Sequence, residues 1–308
     1  MMSATATQAA CHRPASSATS RRQRGVKVQA CLRDGAERLA KGAAAAAAAG
    51  LLLTGSTLAA SERMTFDELQ SKSYLEMKGS GRAGMCPMVG PDGEVGIRGM
   101  PTGTYKMDRF CMEPTAFNVK VPGDNEYRKS TLVTRLTYML SDMTGTVTVG
   151  NNGTMALTHG MDDDGFDYAA VTVKAAGSPG QGGEVPFMFS VKNLDIKGPS
   201  DNMAGSLVVP SYRGATFMDT IGRGGATGWD WQKGLPAADQ DKLREQNDKA
   251  LEPTPGSAAF AVTKSDPLTG EVQGVFVTRQ LSSDDMGGKP EDVCEVEVQG
   301  VWYGQLQV

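Results

Sequence analysis

The stretch Glu295 to Gln305 reads E-V-E-V-Q-G-V-W-Y-G-Q and lies close to the end of the chain. Side chains along a strand point alternately to opposite faces, so alternating polar and apolar residues make a strand with one side buried. Further runs that read as strands lie at Thr115 to Val121, Leu132 to Leu140, Thr146 to Val149, Tyr168 to Lys174, Val185 to Lys192, Ser206 to Tyr212, Ala258 to Lys264 and Val272 to Gln280. Clusters of Gly, Pro, Asn and Asp separate them, which is the punctuation of an all-β chain. The expectation is a closed antiparallel β-barrel with large inserted loops and a short helix. Val301, Trp302 and Tyr303 would pair back against an early strand, and closure of that kind removes exposed edges.

Composition agrees with strands and turns. The 308 residues include 38 glycines and many Val and Thr, enough chain to bury a substantial core in one large β domain or two smaller ones. Charge is unevenly spread. Residues 1–60 hold eight Lys and Arg against two acids, whereas the remainder is acidic with a net charge of −10, which argues against nucleic-acid binding. Ser, Thr, Ala and Arg dominate the first residues, and no acid precedes Asp34. Arg38 and Lys41 then precede an apolar run from Ala43 to about Leu53, followed by small residues to Ala60. A transit peptide followed by a secretory-type signal explains this order, and it implies two membrane crossings. The run is short and alanine-heavy for a transmembrane helix. The domain expectation is a cleavable targeting region over 1–60 and an extrinsic β-barrel with loop insertions over 61–308.

Other local signals can be placed on that frame. Thr65 with Glu68 three residues on makes a capping box for a short helix carrying Phe66 and Leu69. Asn151, Asn152 and Gly153 read as a hairpin turn. Ala237 to Ala250 is polar, stops before Pro253, and reads as the one clear helix. Pro210 to Pro236 carries six glycines and four large aromatics, too Gly-rich for a helix and too irregular for a long strand. It is an ordered loop that either presents Arg213, Arg223, Trp229 and Trp231 to a partner or folds back to cap its own core.

The chemistry-bearing residues are sparse. Two histidines occur, and His12 falls in the targeting region, so any imidazole-dependent mechanism rests on His159. That residue lies beside an expected turn with no G-x-S-x-G element, and the expectation is a solvated loop histidine. Asp162, Asp163, Asp164 and Asp167 surround Gly165. Setting Gly165 at the sixth place of a calcium loop puts Gly160 first and Val171 twelfth, where carboxylates are needed, so this is no EF-hand. A hydrated turn and a weak surface Ca²⁺ site remain as readings. Of five cysteines, Cys86, Cys111 and Cys294 lie outside the targeting region. Twenty-four residues separate the first two. A disulfide there would stabilise by roughly 3 kcal/mol; zinc, the alternative, lacks both a C-x-x-C pair and a histidine partner.

P-S-Y-R-G from Pro210 and G-R-G-G-A-T-G from Gly222 resemble the signature of the oxygen-evolving enhancer protein 1 family, the manganese-stabilising extrinsic subunit of photosystem II. T-F-D-E-L-Q-S-K-S-Y-L-E at Thr65, K-G-S-G at Lys78, F-C-M-E-P-T at Phe110, T-R-L-T-Y at Thr134, D-D-G-F-D-Y-A-A at Asp163, T-G-E-V at Thr269 and G-V-W-Y-G-Q-L at Gly300 follow in the family's order. Trp229 and Trp231 depart from it, standing where the pattern has Tyr and Asn. The resemblance implies a Cys86–Cys111 disulfide, with Cys294 left over. It implies photosystem contacts through Asp67, Lys78, Arg213, Arg223, Asp230 and Lys233, and a proton and water path at Asp163, Asp164 and Asp167. It further implies a non-catalytic, peripheral protein of the thylakoid lumen with no transmembrane span. Its partners would be the reaction-centre and core antenna subunits and the other extrinsic subunits. No cofactor would be bound directly; the chain would stabilise the partner's Mn₄Ca cluster and support retention of calcium and chloride. Two other readings of the residues are a free lumenal hydrolase built on the Asp163 and Asp167 carboxylates and a barrel carrying a small apolar ligand.

Overall fold

In the computed structural model the described residues are 63–134, 138–160, 163–179, 181–210, 253–282 and 292–308. The targeting region, the Pro210 to Pro236 loop beyond its first residue and the Ala237 to Ala250 helix lie outside them. Two short helices come first, α1 (Phe66–Ser71) and α2 (Tyr74–Met77), then the two-residue strand β1 (Glu94–Val95). The long strand β2 (Gly103–Lys120) precedes the short β3 (Arg128–Lys129) and β4 (Thr131–Leu132). There follow β5 (Leu140–Val149), β6 (Thr154–His159), β7 (Tyr168–Lys174), β8 (Glu184–Ser190) and β9 (Lys192–Pro199). The chain continues with β10 (Met203–Val209), β11 (Thr254–Asp266), β12 (Glu271–Leu281) and β13 (Glu295–Leu306).

Eight strands close into an antiparallel barrel in the order β2, β5, β6, β9, β10, β11, β12, β13, and β13 returns to β2. Sequence neighbours are therefore barrel neighbours, except that the short β3 and β4 lie between β2 and β5 and that β7 and β8 form a hairpin inserted between β6 and β9. The closing pair is the expected one: Val301, Trp302 and Tyr303 lie opposite Glu113, Met112 and Cys111. Alternation is plainest in β12, where Val272, Gly274, Phe276, Thr278 and Gln280 are buried and their neighbours are half-exposed. Trp302 fills the middle of the barrel, edge-on to Phe110 at 6.2 Å and tilted against Phe260 at 5.8 Å. Its indole N–H donates to the Ala261 carbonyl at 3.3 Å. Gly274 lets β11 and the indole come this close, because a Cβ there would collide with both the Ala261 carbonyl and Trp302 Nε1.

The two ends of the barrel differ. Register places the turns at 150–153, 200–202 and 267–270 at one end, all short. The turn Asn151–Gly153 is the expected hairpin connection, with Asn152 at φ 63° and Gly153 at φ 74°. The other end carries the long connections 121–139, 160–191, 210–253 and 282–294. There β4, β7 and β8 form a second, three-stranded sheet. Its Phe187 packs edge-on against Phe117 at 6.1 Å and Phe189 stacks on Phe276 at 6.0 Å, so the insertion plugs its own end of the barrel.

Several strand expectations need correction. Thr115 to Val121 covers only the last third of β2, whose middle, Phe110 to Pro114, runs under another layer and so loses its alternation. Leu132 to Leu140 is not one strand: β4 stops at Leu132 and the next strand starts at Leu140. Val185 to Lys192 spans a break at Val191, beyond which the chain turns into β9. No expected run covers β6 or, beyond Lys192, β9.

Candidate functional site

Residues 63–100 form a strap across the outside of the barrel. Thr65 and Glu68 make the expected capping box, with Thr65 N–H donating to Glu68 Oε2 at 2.9 Å and Glu68 N–H donating to Thr65 Oγ1 at 3.3 Å. Ser73 and Glu76 repeat half of the device one helix later, the Ser73 N–H and hydroxyl both donating to Glu76 Oε2 at 2.8 Å. The Ser73 backbone N–H, then its hydroxyl and Lys72, hold the Glu76 carboxyl below the usual range.

The strap is fastened strand by strand. Arg63 makes a two-pronged ion pair with Glu113 of β2 at 2.5 and 2.8 Å, and the Cys86 N–H donates to the same carboxylate at 2.9 Å. Cys86 and Cys111 form the disulfide that the resemblance implies. Val89 N–H then donates to Gln273 of β12 at 2.6 Å, Lys264 of β11 donates to the Gly90 carbonyl at 2.5 Å, and β1 pairs with β11. Beneath the strap Cys86, Val89, Cys111 and Tyr303 make a second small core, with Phe66 and Met139 packed against it. Tyr303 O–H donates to Glu271 at 2.6 Å; burial first, and that carboxylate second, push the phenol pKa up.

This arrangement explains why Phe110, Cys111, Met112 and Glu113 are all buried in succession, as are Trp302 and Tyr303. The inner side chains face the barrel core and the outer ones face the strap. Asp67 on α1 and Lys78 after α2 are exposed on its outer side. Between them Tyr74 and Leu75 are 73% and 79% exposed, with the Lys78 ammonium 5.8 Å above the Tyr74 ring. Charge beside exposed apolar surface is what a docking face requires. Arg213, Arg223, Asp230 and Lys233 lie outside the described residues, so the strap holds only Asp67 and Lys78 of the six expected contacts.

The acidic cluster sits at the long-loop end and divides into two layers. Asp164 is exposed and Asp163 half-exposed; Asp163 Oδ2 accepts from the Gly160 N–H at 2.6 Å. Asp162 lies outside the described residues. Asp167 is buried beneath them, accepting from Lys192 Nζ at 2.7 Å, with His159 Nε2 3.4 Å away. Burial raises its pKa, but the hydrogen bonds from His159 and Lys192 outweigh that and hold the carboxyl below its ordinary value. His159 is not the solvated loop residue expected. It ends β6, is buried, and its Nδ1 lies 2.6 Å from the Thr144 carbonyl, which can only accept. That ring nitrogen therefore carries a proton. Sequence reasoning missed His159 and Lys192 because it missed the two strands that carry them inward. Alternation in T-M-A-L-T-H, directly after the Asn151–Gly153 turn, was the signal available.

Among the described residues, no group of three or more His, Cys, Asp or Glu converges as a metal site. None of the described helices is long and apolar enough to cross a membrane. Cys294 is a buried free thiol whose pKa burial, and then the nearby Asp292, push up to about 11.

Comparisons with known proteins agree with this architecture. The family model described as manganese-stabilising protein / photosystem II polypeptide matches residues 70–306. The chloroplastic oxygen-evolving enhancer protein 1 of Chlamydomonas reinhardtii is 44% identical over 278 residues, covering 88% of this chain and 91% of that protein. The protein of the same name from Triticum aestivum is 43% identical over 272 residues, 85% of this chain and 79% of its own length. That of Euglena gracilis is 41% identical over 295 residues, 92% of this chain and 83% of its own length. With the family match running nearly the full length of the barrel, the chain belongs to the manganese-stabilising photosystem II polypeptides.

Proposed function

We propose that the protein is a non-catalytic subunit seated on the lumenal face of photosystem II, peripheral to the thylakoid membrane of the chloroplast. There it stabilises the Mn₄Ca cluster of its host from outside, supports retention of calcium and chloride, and promotes oxygen evolution. The observation that carries this reading is the pairing of an aromatic-filled barrel with an outward-facing strap clamped to it. Trp302, Phe110, Phe260 and Phe276 occupy the space a carried ligand would need, whereas Asp67, Tyr74, Leu75 and Lys78 are held at the surface. Reaction-centre, core antenna and other extrinsic subunits are the partners.

In this reading Arg213 and Arg223 pair with carboxylates of the host, because a planar guanidinium gives directional bonds that an ammonium does not reproduce. Asp230 and Lys233 extend that contact. Proton exit uses Asp163 and Asp164, whose exposure lets them exchange with water, while Asp167 serves as their fixed buried anchor. The test is reconstitution. Thylakoid membranes stripped of extrinsic proteins should regain oxygen evolution when the protein is added, and should seat a variant with Arg213 and Arg223 both changed to Glu far more weakly. Failure of the natural chain to restore activity, or turnover of ester substrates by the purified protein, would overturn the proposal.

A further inference from the structure

One residue of β2 stands in a backbone conformation that arginine seldom adopts. Arg109 has φ 54°, in the left-handed region that favours glycine. The register explains how it arises. Against β13, Asp108 and Cys111 lie opposite Gln305 and Tyr303; against β5, Met107 and Phe110 lie opposite Gly145 and Met143. On both sides β2 spends three steps where its neighbour spends two, so an extra residue is inserted between two ladders at once. A bulge of this kind bends the strand and re-aims a side chain.

Here the side chain is sent outward onto the strap. The Arg109 guanidinium carbon lies 3.8 Å from the centre of the Phe66 ring, in the geometry of a cation–π contact, and its Nη1 donates to Gln305 Oε1. Phe66 is the first residue of α1, adjacent to Asp67. None of the residues of α1 is fully buried; the Thr65–Met88 bridge ties the start of the helix to a later part of the strap, and Phe66 packs on the small core that includes Cys111 and Tyr303 of the barrel. Charged and titratable groups around the guanidinium are Asp67 on α1, Asp108 on β2, and Glu271 and Tyr303 beneath the strap. A conformationally unfavourable residue persists only where the surrounding structure over-determines it, and such positions cluster where orientation matters.

We propose that Arg109 is a positioning residue for docking: the bulge exists to thrust its guanidinium over Phe66, which fixes the orientation in which α1 presents Asp67 to the host. The second half of this inference rests on the docking role of the strap proposed above. Arg109→Gly tests it without endangering the fold, since glycine accepts φ 54° freely, and it should melt within about 3 °C of the natural chain. Two readouts separate the halves. Tryptic nicking after Lys72 reports how often α1 leaves the barrel and needs no photosystem; it should accelerate roughly fivefold in Arg109→Gly, with most of the protection restored in Arg109→Lys. Titration of stripped thylakoid membranes should then show a half-saturating concentration about threefold to tenfold higher, with oxygen evolution at saturation unchanged. Nicking at the natural rate in Arg109→Gly overturns the positioning role whatever the membranes do. Faster nicking with unaltered seating overturns the docking role of α1 instead. A lower plateau at unaltered half-saturation means that Arg109 acts on something other than seating, and defeats the inference too.

Discussion

Trp302 and Tyr303 are adjacent in β13, equally buried, and held in opposite ways. Trp302 faces inward among Phe110, Phe260 and Phe276, where the stabilisation is apolar burial spread over many contacts. Tyr303 faces outward under the strap, where a disulfide, the Arg63–Glu113 ion pair and the Val89–Gln273 hydrogen bond hold strap to barrel. The inner layer is cooperative and sets whether the barrel exists. The outer layer is a row of individual fastenings, each of which can be released without opening the barrel. The proposed docking role calls for the second kind of attachment, because orientation must be fixed while the outer side stays free for a partner.

The sharpest way to break that comparison is Trp302→Ala. It should cost about 4 kcal/mol of global stability by leaving a cavity at the centre of the barrel, and denaturant unfolding would show it as a shift of the whole transition. A smaller loss would mean that the inner layer is not the cooperative one. Asp167→Asn follows, at about 3 kcal/mol, because it removes the carboxylate from a buried ion pair with Lys192. Its pH dependence has a definite sign. The folded-state pKa of Asp167 lies below its unfolded value of about 3.9, so its contribution is present above that pH and is lost as pH falls through the folded pKa. The gap between natural and variant stability should thus be constant from neutral pH to about 5 and close below about 4. A gap that closes between pH 7 and 5 would contradict the ion-pair assignment. Asp163→Asn, half-exposed and still offering an amide oxygen to the Gly160 N–H, should shift stability by about 1 kcal/mol at most while slowing proton release from assembled complexes.

Glu113→Gln tests the outer layer. Losing the ion pair should cost about 2 kcal/mol, and it should appear as faster proteolysis within 63–85, with the barrel transition kept in one piece. If the barrel instead unfolds at the same point as the strap, the two layers are not separable. Cys294 gives the smallest effect: with its thiol pKa at about 11, it should resist alkylation at pH 8 in the native protein and react once the protein is denatured. Rapid native labelling would show that the segment beside β13 opens readily.

The legible parts of this chain are those in which one local rule decides the outcome. Val272 to Gln280 and Tyr168 to Lys174 were readable because each has a single buried face. The capping box at Thr65 and the turn at Asn151 were readable because their hydrogen bonds close within a few residues. Leu132 to Leu140 misled because Thr and branched residues favour extended chain, yet nothing in the local pattern marks where pairing stops. His159 was misplaced for a related reason: its burial depends on Asp167 and Lys192, which flank the inserted hairpin on either side.

The sequence by itself determined the all-β class, the closing pair of Glu295 to Gln305 with an early strand and, through its family resemblance, the partnership of Cys86 with Cys111. Tertiary structure alone decided that β2 and β13 are covered on both sides, that Asp167 lies under Asp163 and Asp164, and that Arg109 sits over Phe66. Alternation along a strand reports one covered face and carries no label for what covers it. A second layer arriving from far along the chain is a long-range event, and no local period records it.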